Sequence, residues 1–232
     1  MLLTMQRRSG ENERVVMKMN DRSQTFKSRR HDANTQALIE AAEVAIARKG
    51  YDRVTMRDIA AEAGCVPGTL YLYFRNKREV VKALMVRHSG LLLPLLMEAV
   101  AATSDPLEKL RLITQKSVDY FNRNRSVFKA IFAAHPGKPD ELMASLPARM
   151  RRNWGAFHQS ELEAIRQAQA QGKIRRDFPP ESIWKFMHGV FVGFLDELNA
   201  YEALPEQEDQ MQMLWGLLTG GIGGEERRHA KR

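Results

Sequence analysis

The chain has 232 residues, a net charge of +8 and one cysteine, Cys65. A lone thiol cannot form an internal disulfide, which fits a reducing compartment rather than a stapled secreted scaffold. The longest apolar run, Leu91 to Met97, contains Pro94 and falls far short of the roughly 20 residues a spanning helix requires. Arg7, Arg8, Glu11 and Glu13 break up the first residues before a signal-peptide core can form. A cytoplasmic protein with no membrane partner is expected, long enough for one small and one larger domain.

Residues 1–90 hold 17 basic and 10 acidic residues, whereas 91–222 hold 15 and 16. The positive surplus therefore sits at one end, as in a nucleic-acid binder. Residues 1–31 are polar, rich in Arg and Lys and without sustained periodicity, which predicts a disordered basic arm. Such an arm can reach phosphates or a minor groove. It can equally be a solvated tail, or lie upstream of a later start at Met17 or Met19.

Asn34 to Lys49 reads as the first helix, with Leu38, Ile39, Ala42 and Ile46 on one stripe and Gly50 past its end. Thr55 and Asp58, three apart, can satisfy orphan amides at the start of a second helix, whose Met56, Ile59, Ala60 and Ala63 recur at helical spacing before Gly64 stops it. Pro67 then suits the first turn of a third helix in which Leu70 and Phe74 face inward, leaving Tyr71, Leu72 and Tyr73 for the outer and flanking faces. Asn76 and Glu79 repeat the cap logic for a fourth helix from Lys77, which buries Val80, Val81, Leu84 and Met85, continues past Gly90 and kinks near Pro94. Two short helices around a Gly-containing turn make a helix-turn-helix.

Residues Asn34 to Met85 resemble the DNA-binding domain of the tetracycline-repressor (TetR) family. The features that carry the resemblance are Ala41, Ala42 and Gly50; Thr55, Ile59 and Ala60; Gly64; the run GTLYLYF; and Asn76, Lys77 and Glu79. They cover roughly a quarter of the chain. The resemblance implies a helical ligand-binding and dimerisation domain after it. It also implies DNA contacts: Thr55, Tyr71, Tyr73 and Lys77 at phosphates, and Pro67, Gly68, Thr69 and Leu72 at base edges, with Arg57 reaching a base or phosphate. For Tyr71 and Tyr73 the alternative is packing on the three-helix core. Cys65 stands where the family has a small apolar residue and reads as buried and inert. Val66 replaces the usual capping Ser or Thr, so methyl contacts and DNA shape are expected to carry much of the specificity.

Every later punctuation mark is a helix mark, and the fold class expected is all-α. Asp105, Pro106 and Glu108 open a segment with Leu107, Leu110, Ile113, Thr114 and Val118 at helical spacing. Ser126 precedes another, and Pro136, Gly137 and Pro139 make a loop. Asp140 to Gln171 is a long helical pattern bent or broken near Pro147 and closed by Gly172. Phe178 to Pro180 introduce an apolar helix, Glu181 to about Tyr201, and Pro205 and Glu206 a last one ending near Gly220. The domains expected are a basic arm over 1–31, the helix-turn-helix domain over 32–78, the helical domain over 79–222 and a basic tail over 223–232.

The last two helices are the expected dimer contact. Gly189 and Gly193 would allow close approach, Phe191 and Phe194 broaden the apolar stripe, and Leu214 and Leu218 supply the second face. The alternative is that they fill one monomer's core. Phe121, Phe128, Phe132, Trp154, Phe157, Trp184 and Met187 can line a ligand pocket, with His158 and His188 offering hydrogen bonds, although an aromatic stripe is also ordinary core. The six histidines are scattered without metal-ligand spacing, so no catalytic group, metal or cofactor is expected. The function expected is a homodimeric repressor held on a palindromic operator of double-stranded DNA and released by a small, largely apolar inducer. A ligand-independent architectural or activating DNA binder is the alternative, and an enzyme or carrier on a borrowed helical fold is a third class.

Overall fold

Two units of the chain divide between Val80 and Val81, inside one long helix. The computed structural model describes residues 31–134, 144–200 and 206–222. Among them are nine helices and no strand, so the fold is all-α as expected.

In the first unit, α1 covers residues 31–49, α2 Met56–Glu62 and α3 Pro67–Tyr71. The Thr55 hydroxyl accepts from the Asp58 amide at 3.2 Å, and the Asp58 carboxylate accepts from the Thr55 amide at 2.9 Å, a full capping box. At the other end of α2, Gly64 takes φ +65°, Cys65 N–H reaches the Ala60 carbonyl at 2.9 Å and Gly64 N–H that of Ala61 at 3.1 Å. That is a Schellman stop, which only a residue tolerant of positive φ makes without strain. Val66 gives α3 no side-chain cap and Pro67 fills its first turn. Ala42, Ile46, Ile59, Ala60, Leu70 and Phe74 are buried together as the unit's core residues. Truncating a fully enclosed one such as Leu70 costs about 2–5 kcal/mol.

Helix α4 covers Lys77–Ala101. Asn76 Oδ1 caps it by accepting from the Glu79 amide at 3.0 Å, but Glu79 reaches back to the Arg75 amide at 2.8 Å, one residue short of a reciprocal box. The helix carries Pro94 within it, on an exposed face. By length and composition it could cross a membrane, a property of the 25-residue helix that the short apolar run alone does not reveal. Val80, Val81, Leu84, Met85, Leu92 and Leu96 are nevertheless buried against protein, as in the core helix of a folded domain.

In the second unit follow α5 Pro106–Arg123, α6 Arg125–Ala134, α7 Ala148–Ala170, α8 Pro180–Ala200 and α9 Gln207–Ile222. Asp105 caps α5 by accepting from the Leu107 and Glu108 amides, both at 2.9 Å, and its carboxylate also meets Lys173. The α5–α6 corner is the single residue Asn124, whose amide returns to the Tyr120 carbonyl at 2.8 Å, so Ser126 lies inside α6 and does not cap it. Pro147, extended at φ −54° and ψ 145°, is where the pattern over 140–171 breaks; α7 starts after it, and 140–143 lie outside the described residues, as do Pro136, Gly137, Pro139 and Pro205. Leu107, Leu110, Ala164, Ile165, Ala168, Ile174 and Ile183 join α5, α7 and α8 in one core cluster.

Candidate nucleic-acid interface

On α3 the side chains that do not pack inward form an apolar strip. Val66 is 68% exposed, Leu72 81% and Tyr71 52%, with Pro67 and Gly68 exposed beside them, while Leu70 next to Leu72 is fully enclosed. Three large apolar side chains bared within seven residues of a folded helix mark a contact surface rather than scattered exposure. Thr69 is half-buried and Arg57 on α2 is exposed.

Three residues expected at phosphates are engaged within the protein. Lys77 Nζ donates to the carbonyls of Tyr51 at 2.6 Å, Val54 at 3.3 Å and Asp52 at 3.4 Å, and sits 4.3 Å from the Tyr51 ring centroid. An ammonium has three protons, so this one, expected at a phosphate, fastens the α1–α2 turn to the start of α4. The Thr55 hydroxyl and amide, expected to meet a phosphate, both hydrogen-bond within the capping box. Tyr73 is half-buried, its hydroxyl accepting from Asn34 Nδ2 at 3.1 Å and its ring stacked on His31 at 4.8 Å, so it packs on α1. Cys65 is a half-buried free thiol rather than a buried one.

The electrostatics also differ from the simple charge division. Within 31–80, Arg48, Lys49, Arg53, Arg57, Arg75, Lys77 and Arg78 are matched in number by Asp32, Glu40, Glu43, Asp52, Asp58, Glu62 and Glu79. Several are paired: Arg48 with Glu62, Lys49 with Asp58 at 2.6 Å, Arg75 with Glu79 at 3.8 Å. The Lys49 hydrogen bond, then those from Thr55, hold the Asp58 carboxyl down to about 2. The surplus belongs instead to residues 1–30, with eight basic and three acidic residues.

In the second unit the expected ligand residues separate into groups. Phe121, Phe128 and Phe132 form an aromatic cluster, with Phe121–Phe128 centroids 3.9 Å apart; Tyr120 joins it, and His88 Nδ1 lies 2.9 Å from the Tyr120 hydroxyl. Trp154 and Phe157 meet edge to face at 5.8 Å, Phe157 inside the core and the Trp154 Nε1 buried without a partner. His158, Trp184 and His188 form a third group, and Met187 packs against two core clusters. His88 and Tyr120 escaped the sequence reading because a lone His and Tyr on helical stripes carry no spacing signal.

The expected dimer residues divide sharply. Phe194, Leu214 and Leu218 are buried with Val118 in their own chain's core, so for these three the dimer reading is corrected. Phe191 meets Phe121 at 5.7 Å and is half-buried. Gly189 and Gly193 are exposed, with nothing within 4 Å of an added Cβ. Beside them Leu217, expected on the second face, and Phe186, Val192 and Met213, unread in the sequence, are 42–57% exposed. Positions 186, 189 and 193 share a helical stripe, a signal the apolar count on the opposite face concealed.

A short helix, a glycine stop and an outward-facing second helix define a helix-turn-helix protein. Residues 38–84 match the family described as bacterial regulatory proteins, tetR family. Over 79 residues the chain is 34% identical to the fatty acid metabolism regulator protein of Bacillus subtilis (strain 168), covering 34% of this chain and 41% of that one. Over 103 residues it is 31% identical to the HTH-type transcriptional activator FasR of Mycolicibacterium smegmatis, covering 44% and 47%. The match thus spans less than half the length of these curated relatives. The solved structure of the ketosteroid transcriptional regulator KstR2 of Mycobacterium tuberculosis shares the fold, with a TM-score of 0.63 at 22% identity over 82% of this chain and 95% of that one. Residues 38–84 therefore form a helix-turn-helix domain similar to that of the tetR family of bacterial regulatory proteins.

Proposed function

We propose that the protein is a cytoplasmic, sequence-specific DNA-binding regulator of transcription that acts as a homodimer on a palindromic operator. The bared strip Val66, Pro67, Gly68, Tyr71 and Leu72 on α3 carries this reading. Apolar side chains and a glycine suit close approach to thymine methyls and sugar edges in a major groove, and a two-fold dimer would place two such strips about 34 Å apart. Arg57 and the basic residues 1–30 supply phosphate contacts. The dimer forms through the exposed face of α8 and α9, where Gly189, Gly193, Phe186, Val192 and Leu217 lie open.

A small, largely apolar ligand releases the DNA by favouring a conformation whose recognition helices are mis-spaced. The aromatic cluster of Phe121, Phe128 and Phe132 and the unpartnered indole nitrogen of Trp154 support a ligand with an apolar body and one acceptor. Selection of bound fragments from random duplex DNA by the full chain tests the main reading. A two-fold symmetric consensus is expected, and retention of DNA without sequence preference would overturn it. If small apolar molecules leave operator affinity unchanged, the ligand-independent alternative replaces the inducible one.

A further inference from the structure

The face of α8 that its own chain leaves open has unlike ends. Lys185 stands near the start of the helix and Asp196 and Glu197 near its finish, all three exposed, and between them lie Phe186, Gly189, Val192 and Gly193. Nearby charges are engaged: Glu181 meets Arg166 at 3.5 Å, and Glu108 meets Arg111 at 2.7 Å. Lys185, Asp196 and Glu197 make no ion pair or hydrogen bond among the described residues.

Their placement is nearly symmetric. With about 3.6 residues per turn, Lys185, Gly189, Gly193 and Asp196 fall along one side of the helix, with Phe186 and Val192 flanking them. At a rise of ~1.5 Å per residue, Lys185 and Asp196 lie roughly 8 Å to either side of the point between the two glycines. Helix α9 follows after a short connection and packs back along α8 through Leu214 and Leu218, so its start lies beside the finish of α8. Exposed Glu206, Glu208 and Asp209 stand there and enlarge the acidic end.

We propose that α8 pairs with the α8 of a second copy in antiparallel register, crossing at Gly189 and Gly193, so that Lys185 of each protomer meets Asp196 and Glu197 of the other. This rests on the homodimer reading above and adds to it an orientation and the residues that select the partner.

In a two-fold contact, a residue that meets a second residue of the partner is itself met in return, so a self-complementary face must carry opposite charges at matching distances from the axis. Lys185 with Asp196 and Glu197 meets that condition. A parallel contact would instead set Lys185 on Lys185 and one acidic end on the other, and like charges held together are costly. The glycines let the two helix axes approach, because nothing of their own chain lies within 4 Å of an added Cβ at either position. Close approach shortens the gap that the flexible lysine stem has to span. Exposed ion pairs add little affinity. Their effect is selection, since a helix face with the wrong charge at either end is rejected.

The test is sedimentation of the full chain at low salt and at about 1 M salt, with two exposed-face variants. One is Lys185→Glu, and the other carries both Asp196→Lys and Glu197→Lys. Alone, each variant sets like charges against each other twice, and dimerisation should weaken roughly tenfold at low salt. Mixed in equal amounts, the two should form heterodimers about as tight as the wild-type dimer, because every facing pair is again opposite in sign. High salt should narrow all of these differences. Variants that dimerise as wild type does, or a mixture no tighter than its separate components, overturn the register and leave the α8 and α9 face as a dimer contact of another geometry. A wild type that sediments as a monomer removes the register and the homodimer reading together. Should circular dichroism show either variant unfolded, the chain carrying all three reversals decides: it should dimerise as wild type does, and a weakened dimer there equally overturns the register.

Discussion

Lys77 closes over Tyr51: its ammonium donates to the Tyr51 carbonyl at 2.6 Å and lies 4.3 Å from the centre of the same residue's ring. A residue at the start of α4 thereby holds the turn that ends α1, and the turn in turn positions the capping box of α2. Replacing Lys77 with Ala leaves the carbonyls of Tyr51, Asp52 and Val54 without this donor. The expected result is a loss of about 1–3 kcal/mol of stability, with operator and random DNA weakened alike and the salt dependence of binding unchanged. Denaturant unfolding together with binding isotherms at several salt concentrations checks it. A stable Lys77→Ala protein whose salt slope falls by about one unit would return Lys77 to a phosphate.

Leu72 and Leu70, two residues apart, have opposite fates: Leu70 is wholly enclosed and Leu72 is 81% exposed. Leu72→Ala should leave stability within about 0.5 kcal/mol of wild type and alter base preference at one or two operator positions. Leu70→Ala should instead unfold the domain at lower denaturant by the amount a core cavity costs, about 2–5 kcal/mol. Parallel binding to a panel of operator variants separates the two, since an equal loss on every sequence for Leu72→Ala would contradict its role at base edges.

The contrast shows what was legible in the sequence. Caps, stops and stripes are local, so Thr55 with Asp58, Gly64, Pro67, Asp105 and Gly172 placed their helix ends correctly. The partners of Lys77 were not legible because they lie 23 to 26 residues earlier, in a turn whose path no helical period encodes. The same holds for α8 and α9, where a broad apolar stripe announced burial but not what would cover it. Phe194, Leu214 and Leu218 went to the monomer's core, and the residues left open were Phe186, Val192, Met213 and Leu217 with the two glycines.

Charge placement yields a third prediction. Because the basic and acidic residues of 31–80 balance, deletion of residues 2–30 should remove much of the non-specific affinity and flatten the salt dependence. The consensus selected from random duplexes should persist, since α3 is untouched. An unchanged salt slope after the deletion would make this segment a solvated tail.

The dimer face can be tested apart from the core because the two sets of side chains on α9 are distinct. Leu217 is 57% exposed in the monomer, whereas Leu214 is fully buried one turn earlier. A carboxylate introduced at an exposed monomer position is solvated at little cost, but in a two-fold interface it appears twice and faces its own copy. Leu217→Asp should therefore yield a folded monomer with lost operator affinity and unchanged thermal stability when measured at low concentration. Gly193→Leu should act in the same direction by overpacking the contact, at about 1–3 kcal/mol per site, since nothing in its own chain lies within 4 Å of an added Cβ. Sedimentation beside an operator shift assay reads both. A Leu217→Asp protein that remains dimeric and binds operator normally would move the interface elsewhere on the second unit.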